Sequence, residues 1–125
     1  MKQRPRFVKD KKVRAFVTAT RSVWGFEKVF KSYCHSEESG GLWAYVRHLS
    51  GAEVMRARQV QSNETVQFVV SYFPGITTDF YFEFGDKTYK PEAIDAFEFN
   101  KTDLSIRASE VSPPAFDEVE WRNND

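Results

Sequence analysis

Leucine is scarce in this chain, cysteine occurs once, and no net charge remains. The lone thiol, Cys34, excludes an intramolecular disulfide and points to a reduced, cytoplasmic setting rather than secretion. Long apolar runs are missing: none approaches the roughly 20 residues of a membrane span. The basic start, MKQRPRFVKDKKVR, lacks the apolar stretch of a signal peptide. There is no glycine-rich phosphate cradle and no nucleophile elbow. A structural zinc site needs four ligands, and beside Cys34 and His35 the second histidine, His48, is the only other soft donor. Glu37 and Glu38 beside them read as polar loop residues. Asp95, Glu98 and Asp103 lie near one another without a paired partner for acid/base work. The expectation is a protein that is not an enzyme and carries no cofactor and no metal.

What is present is aromatic. Twelve phenylalanines and a 16% aromatic content suit strands better than a helical bundle. A chain of 125 residues makes one domain that buries enough surface to fold without staples. The zero net charge hides an asymmetry. Residues 1–31 carry +8, residues 32–109 carry −4 and residues 110–125 carry −4. A basic front and an acidic tail suit contact with charged partners, although solvated ends explain such runs equally simply. The expected division is a basic arm over residues 1–12, a folded domain over 13–111 and an acidic tail over 112–125. Phe116 and Trp121 stand out in that tail, because aromatics there suit docking on a neighbour.

Alternation of apolar and polar residues marks the strands. VRAFVTAT (13–20) places Val13, Ala15, Val17 and Ala19 on one face. FEKVFKSY (26–33), LWAYVRHL (42–49) and ETVQFVVSYF (64–73) follow. Pro74-Gly75 gives a turn. DFYFEF (79–84) and KTYKPEAI (87–94) flank Gly85-Asp86, a hairpin turn of the Gly-X kind. Pro91 pushes the return strand towards an edge or ends its pairing. DLSIRAS (103–109) closes the set. The fold expected is mainly β: a small antiparallel β-barrel of six to seven strands, with one short helix or loop inserted around residues 50–61. In the insert, Ser50 and Glu53 have capping-box spacing, while Arg56 and Arg58 suit the C-terminal end of a helix dipole. No single apolar stripe emerges, so such a helix is marginal.

Trp43-Ala44 leading into Leu49-Ser50-Gly51-Ala52-Glu53, then Tyr72-Phe73-Pro74-Gly75-Ile76, then Asp79, Gly85-Asp86-Lys87 and Tyr89, form an ordered set. In this order the chain resembles the head–tail joining (head-closure, or stopper) proteins of tailed bacteriophages over residues 13–109. It departs from them in its basic extension, its aromatic acidic tail and Lys90-Pro91. The resemblance implies a small β-barrel that assembles as a ring of six subunits, or of twelve. The ring would sit in the virion neck beneath the portal and adaptor, after assembly in the host cytoplasm. It would retain packaged double-stranded DNA and present a surface to a tail-terminator or tail-completion protein. The resemblance makes residues 50–61 a gating segment. Arg47, Ser50, Gly51, Glu53, Arg56 and Arg58 would then face the channel, with the arginines as a basic collar. Alternatively, the turn covers one end of the barrel. Arg4, Arg6, Lys9, Lys11, Lys12, Phe116 and Trp121 are the candidate assembly contacts. The competing reading is a small OB-like nucleic-acid-binding barrel acting alone, on which Phe7, Phe16 and Trp24 could stack on bases, although these aromatics read more simply as core.

Overall fold

A computed structural model describes residues 8–49, 65–71, 75–96 and 103–122. Eight strands run through them: β1 (Lys11–Val23), β2 (Phe26–Tyr33), β3 (Leu42–His48), β4 (Thr65–Ser71), β5 (Tyr81–Phe84), β6 (Lys87–Ala96), β7 (Asp103–Val111) and β8 (Glu118–Trp121). The described residues contain no helix, and the helix or loop expected at residues 50–61 lies outside them. The strands form one sheet ordered β3-β4-β7-β6-β5-β1-β2-β8, with a further pairing of β3 to β1. That pairing closes six strands into a ring, as the mainly β, barrel-like expectation required. The β2 and β8 strands hang outside it.

The hub of this arrangement is β1. Residues 11–13 pair with β3, residues 14–16 with β5 and residues 16–23 with β2, all antiparallel. Its first part therefore belongs to the ring and its second part leaves as a long hairpin. Both β2 and β3 lie antiparallel to β1, joined by residues 34–41. The Cys34 amide donates to the Ala15 carbonyl at 3.0 Å where β2 ends. Gly41 begins β3 so close to β1 that a Cβ there would lie 2.7 Å from the Val13 carbonyl oxygen.

Alternation decides which side chains enter the ring. Val13 and Ala15 point inward, with Val66, Phe68, Val70, Phe82, Tyr89, Leu104, Ile106 and Ala108 from the other strands. Each fully buried Phe or Val contributes roughly 1.5–3 kcal/mol from the water it leaves. Phe68 anchors the centre, meeting Phe82, Phe84 and Tyr89 edge-on at 5.7, 6.2 and 5.5 Å. Pro91 does not end its strand. A register shift between Pro91 and Ala93 absorbs it, and β6 continues along β7 to Ala96. Pro91 also lies past the last pairing with β5, Phe82 opposite Tyr89, so no ladder bond is lost on that side.

Phe16 points away from the ring, yet it is fully buried. A second, outer core covers it. Tyr81 stacks on it at 5.2 Å, Tyr33 meets it edge-on at 5.7 Å, and the Lys31 ammonium lies 4.6 Å from its ring centre.

Candidate DNA-facing and assembly surfaces

The end of the β3/β4 hairpin is the first candidate. Among the described residues it closes with a bond from the Leu49 amide to the Thr65 carbonyl at 3.1 Å. Residues 50–64 make the excursion in sequence between these two. Ser50, Gly51, Glu53, Arg56 and Arg58 fall in that excursion and lie outside the described residues. Arg47 stands at its root. It pairs in register with Gln67, which pairs with Arg107 on β7. Side chains connect this row: Arg47 Nε donates to Gln67 Oε1 at 3.2 Å, and Gln67 Nε2 donates to Ser105 Oγ at 2.8 Å. Arg107 reaches Glu92, the residue at the Pro91 register shift, at 3.5 Å. Arg47, Gln67, Ser105 and Arg107 line an open depression of about 230 Å³ together with Asp95. Two guanidiniums and one carboxylate line it, and Glu92 adds a second carboxylate as the partner of Arg107. One chain alone offers a mixed surface rather than a basic patch.

Of the basic front, Lys9 pairs with Asp103 at 2.7 Å and Lys11 with Asp10 at 3.7 Å. Lys12 donates to the Ser39 carbonyl and lies 4.7 Å over the ring of Trp43. Lys11 and Lys12 stand within β1, opposite Ala44 and Trp43. Arg4 and Arg6 lie outside the described residues.

The acidic end folds back on its own chain. β8 adds to the outer edge of β2 in parallel, with Phe30 opposite Glu118 and Tyr33 opposite Trp121. Charge sets this register. Arg21 binds Glu120 and Lys28 binds Glu118, each at 2.7 Å. The Asp117 carboxylate accepts the Val29 amide at 2.8 Å, and Ser32 donates to Glu120. Exposed pairs of this kind contribute little to stability one by one. The Arg21 hydrogen bond, helped by Ser32, holds the Glu120 carboxyl below its ordinary value. The hydrogen bond to Glu118 raises the Lys28 ammonium above its own. Trp121 supplies the apolar part, stacking on Tyr33 at 4.1 Å with Arg14 5.6 Å from its ring centre. Phe116 is partly exposed, 4.9 Å from the Lys31 ammonium.

Between β8 and the ring lies a nearly buried polar cluster. Lys31 binds Glu83 at 2.5 Å, and the Tyr33 hydroxyl donates to the other oxygen of Glu83 at 2.7 Å. Burial is the largest single effect and opposes the Lys31 charge, but the bonds and charges of Glu83 and Tyr33 together outweigh it and raise the ammonium above its ordinary value. Burial, with the same carboxylate, raises Tyr33 above 10.0. Burial likewise pushes the Cys34 thiol up, which keeps it protonated. Its sulfur lies 4.0 Å from His35 Nδ1. No group of three or more His, Cys, Asp or Glu is placed to hold a metal among the described residues.

One exposed feature corrects the sequence reading: Trp24, read there as core, is exposed. The β1/β2 hairpin turns on Trp24 and Gly25, with φ of +54° and +83°. A two-residue turn with both φ positive is the type I′ hairpin turn, which favours Asn-Gly. The available signal was an X-Gly dipeptide between two alternating runs. The tryptophan disguised it.

The comparisons with known proteins are brief. A family model described as phage head completion protein matches residues 3–111. No curated protein matches the chain.

Proposed function

This chain belongs to the phage head completion protein family, and on that footing we propose that it forms a ring at the virion neck that retains packaged DNA and receives the tail. Membership gives it a structural role in the phage head, at the head–tail region, among other head and tail proteins. The finer reading puts six copies, or twelve, beneath the portal and adaptor, with a tail-completion protein below. The observation that carries it is the origin of residues 50–64. Leu49 and Thr65, which flank that stretch in sequence, meet at one end of the closed six-strand ring. Arg56 and Arg58 lie in that stretch, and Arg47 stands at its root. Copies arranged around an axis would repeat these arginines into a collar. A collar of arginines neutralises phosphates without reading sequence. The mixed charge around a single Arg47 is then no objection, because the collar forms only in the assembly.

Electron microscopy of lysates from a phage lacking this gene tests the role. Free tails beside heads that leak DNA are expected. Joined, DNA-filled virions would refute the neck assignment and leave the solitary nucleic-acid-binding barrel. Replacing Arg56 and Arg58 with Ala tests the collar separately. Folding is expected to be intact and genome retention weaker. Virions that hold DNA as tightly as the parent would refute the collar while sparing the connector role.

A further inference from the structure

We propose that the hairpin tip at residues 24–26 is an assembly knob that seats on the flank formed by Phe116 and Val119 of the next copy of this chain. The proposal rests on the neck-ring reading and names the contact that joins its subunits.

The tip is disfavoured twice in a lone chain. Trp24 holds a left-handed backbone, with φ +54°, that bulky residues rarely adopt. It is also 93% exposed, with Phe26 73% exposed beside it. A residue that suits neither its turn nor its solvent points to a use elsewhere. The pedestal is stiff. Eight cross-strand pairs run from Phe16/Tyr33 to Val23/Phe26, and β8 braces β2 through Glu118 and Glu120. A tip held in place loses little freedom on docking, and tryptophan is the commonest anchor of protein interfaces.

The occupant follows from the register. Phe26 shares a face with Lys28, Phe30 and Glu118. Val119 stands opposite Lys31, on the other face, and Phe116 lies against the Lys31 ammonium there. Phe116 and Val119 are 44% and 46% exposed. The chain therefore shows an apolar knob and an apolar flank that face opposite ways. They cannot meet within one copy. They can meet head to tail between copies, the kind of contact that closes rings. A Trp and a Phe cover far less than the roughly 800 Å² per partner of a stable interface. The knob anchors subunits that a platform has already gathered, and free chains stay apart at ordinary concentration.

The test places the photo-crosslinker p-benzoylphenylalanine at position 24, where an aromatic replaces an aromatic in solvent. Purified virions and the purified chain near millimolar concentration are irradiated. Covalent ladders at multiples of the chain mass are expected from both, mapping to the peptide that carries Phe116 and Val119. A ladder mapping elsewhere on the chain, a product with another neck protein, or no product from assembled necks overturns the knob. In none of these cases is the ring itself touched. Absence of the chain from virions, with no dimer from the concentrated protein, overturns both readings. Trp24→Asn supplies the second measurement, because Asn suits the turn better. Thermal stability is expected to hold or rise while infectious titre falls at least tenfold. Parental titre, or a chain that no longer folds, overturns the proposal.

Discussion

Gly41→Ala tests how the ring of strands is closed. The added Cβ would lie 2.7 Å from the Val13 carbonyl oxygen and 3.2 Å from its carbon. Both atoms are backbone, so no rotamer change can relieve the contact. Val13 is itself 1% exposed and packed in the core, so β1 has little room to yield. The φ of +136° adds a conformation nearly reserved for glycine, worth about 1–3 kcal/mol. Forcing extra volume into a packed site adds about 1–3 kcal/mol more. The two together give a loss of roughly 2–6 kcal/mol. Gly85→Ala is the internal control. Its φ of +66° carries a similar backbone cost, but nothing lies within 4 Å of its Cβ, and about 1 kcal/mol is expected. Urea unfolding of both variants beside the parent measures the difference. The melting temperature should fall about 10–20 °C in the first and about 5 °C in the second. Equal losses in the two variants would refute the argument that close approach of β3 to β1 is what Gly41 permits. The pairing at risk also holds β3, the strand that carries Arg47.

Four further outcomes concern the outer core, β8 and Cys34. The pKa values of Lys31 and Tyr33 are both raised in the fold, so their stabilisation is complete below about pH 10 and lost above it. Urea midpoints should fall through that alkaline range, and Glu83→Gln should flatten the fall; an unchanged slope would refute the coupling. At the acid end, Glu120, lowered chiefly by Arg21, stabilises only above its ordinary value of 4.5, so β8 should loosen as pH drops below it, read as faster proteolysis near residues 112–116. Trp121→Ala removes the 4.1 Å stack on Tyr33 and should cost roughly 2 kcal/mol, with a loss below 0.5 kcal/mol in urea refuting its role in docking β8. Cys34→Ser should leave virion assembly unchanged, and assembly lost in a folded variant would show that the thiol matters.

Much of the ring was legible because its information is local. The run at residues 26–33 became β2 with the same bounds, and Leu104, Ile106 and Ala108 face the core as their alternation implied. Gly85 takes the positive φ expected of a Gly-X hairpin. Pro91 was half legible: it lies beyond the last pair with β5, as an edge position allows, but nothing in KTYKPEAI announces the register shift that lets pairing with β7 continue. Phe16 was legible as core but was assigned to no face. Its burial depends on a second layer built from Tyr33, Tyr81 and Lys31, which lie far along the chain.

The features nearest to assembly were the least legible, and the cause is the same for each. β8 reads as an acidic tail because EVEW is short and charged. Its partners, Arg21 and Lys28, lie 99 and 90 residues away, and only the fold brings them within reach. The hairpin tip was hidden by its tryptophan. The closing of the ring was hidden by β1, whose alternation names its faces but not its neighbours. Alternation has a period of two and assigns sides. It does not say that one strand changes partners between Val13 and Arg14 and again at Phe16. That change divides the molecule. Before it, β1 belongs to the ring that carries Arg47. Beyond it, β1 belongs to an arm that carries Trp24 outward. A strand of 13 residues is long for a domain of this size, where about 5–6 is usual. The sequence run read over 13–20 is shorter than the strand, and the added length at both ends is what lets it serve two structures.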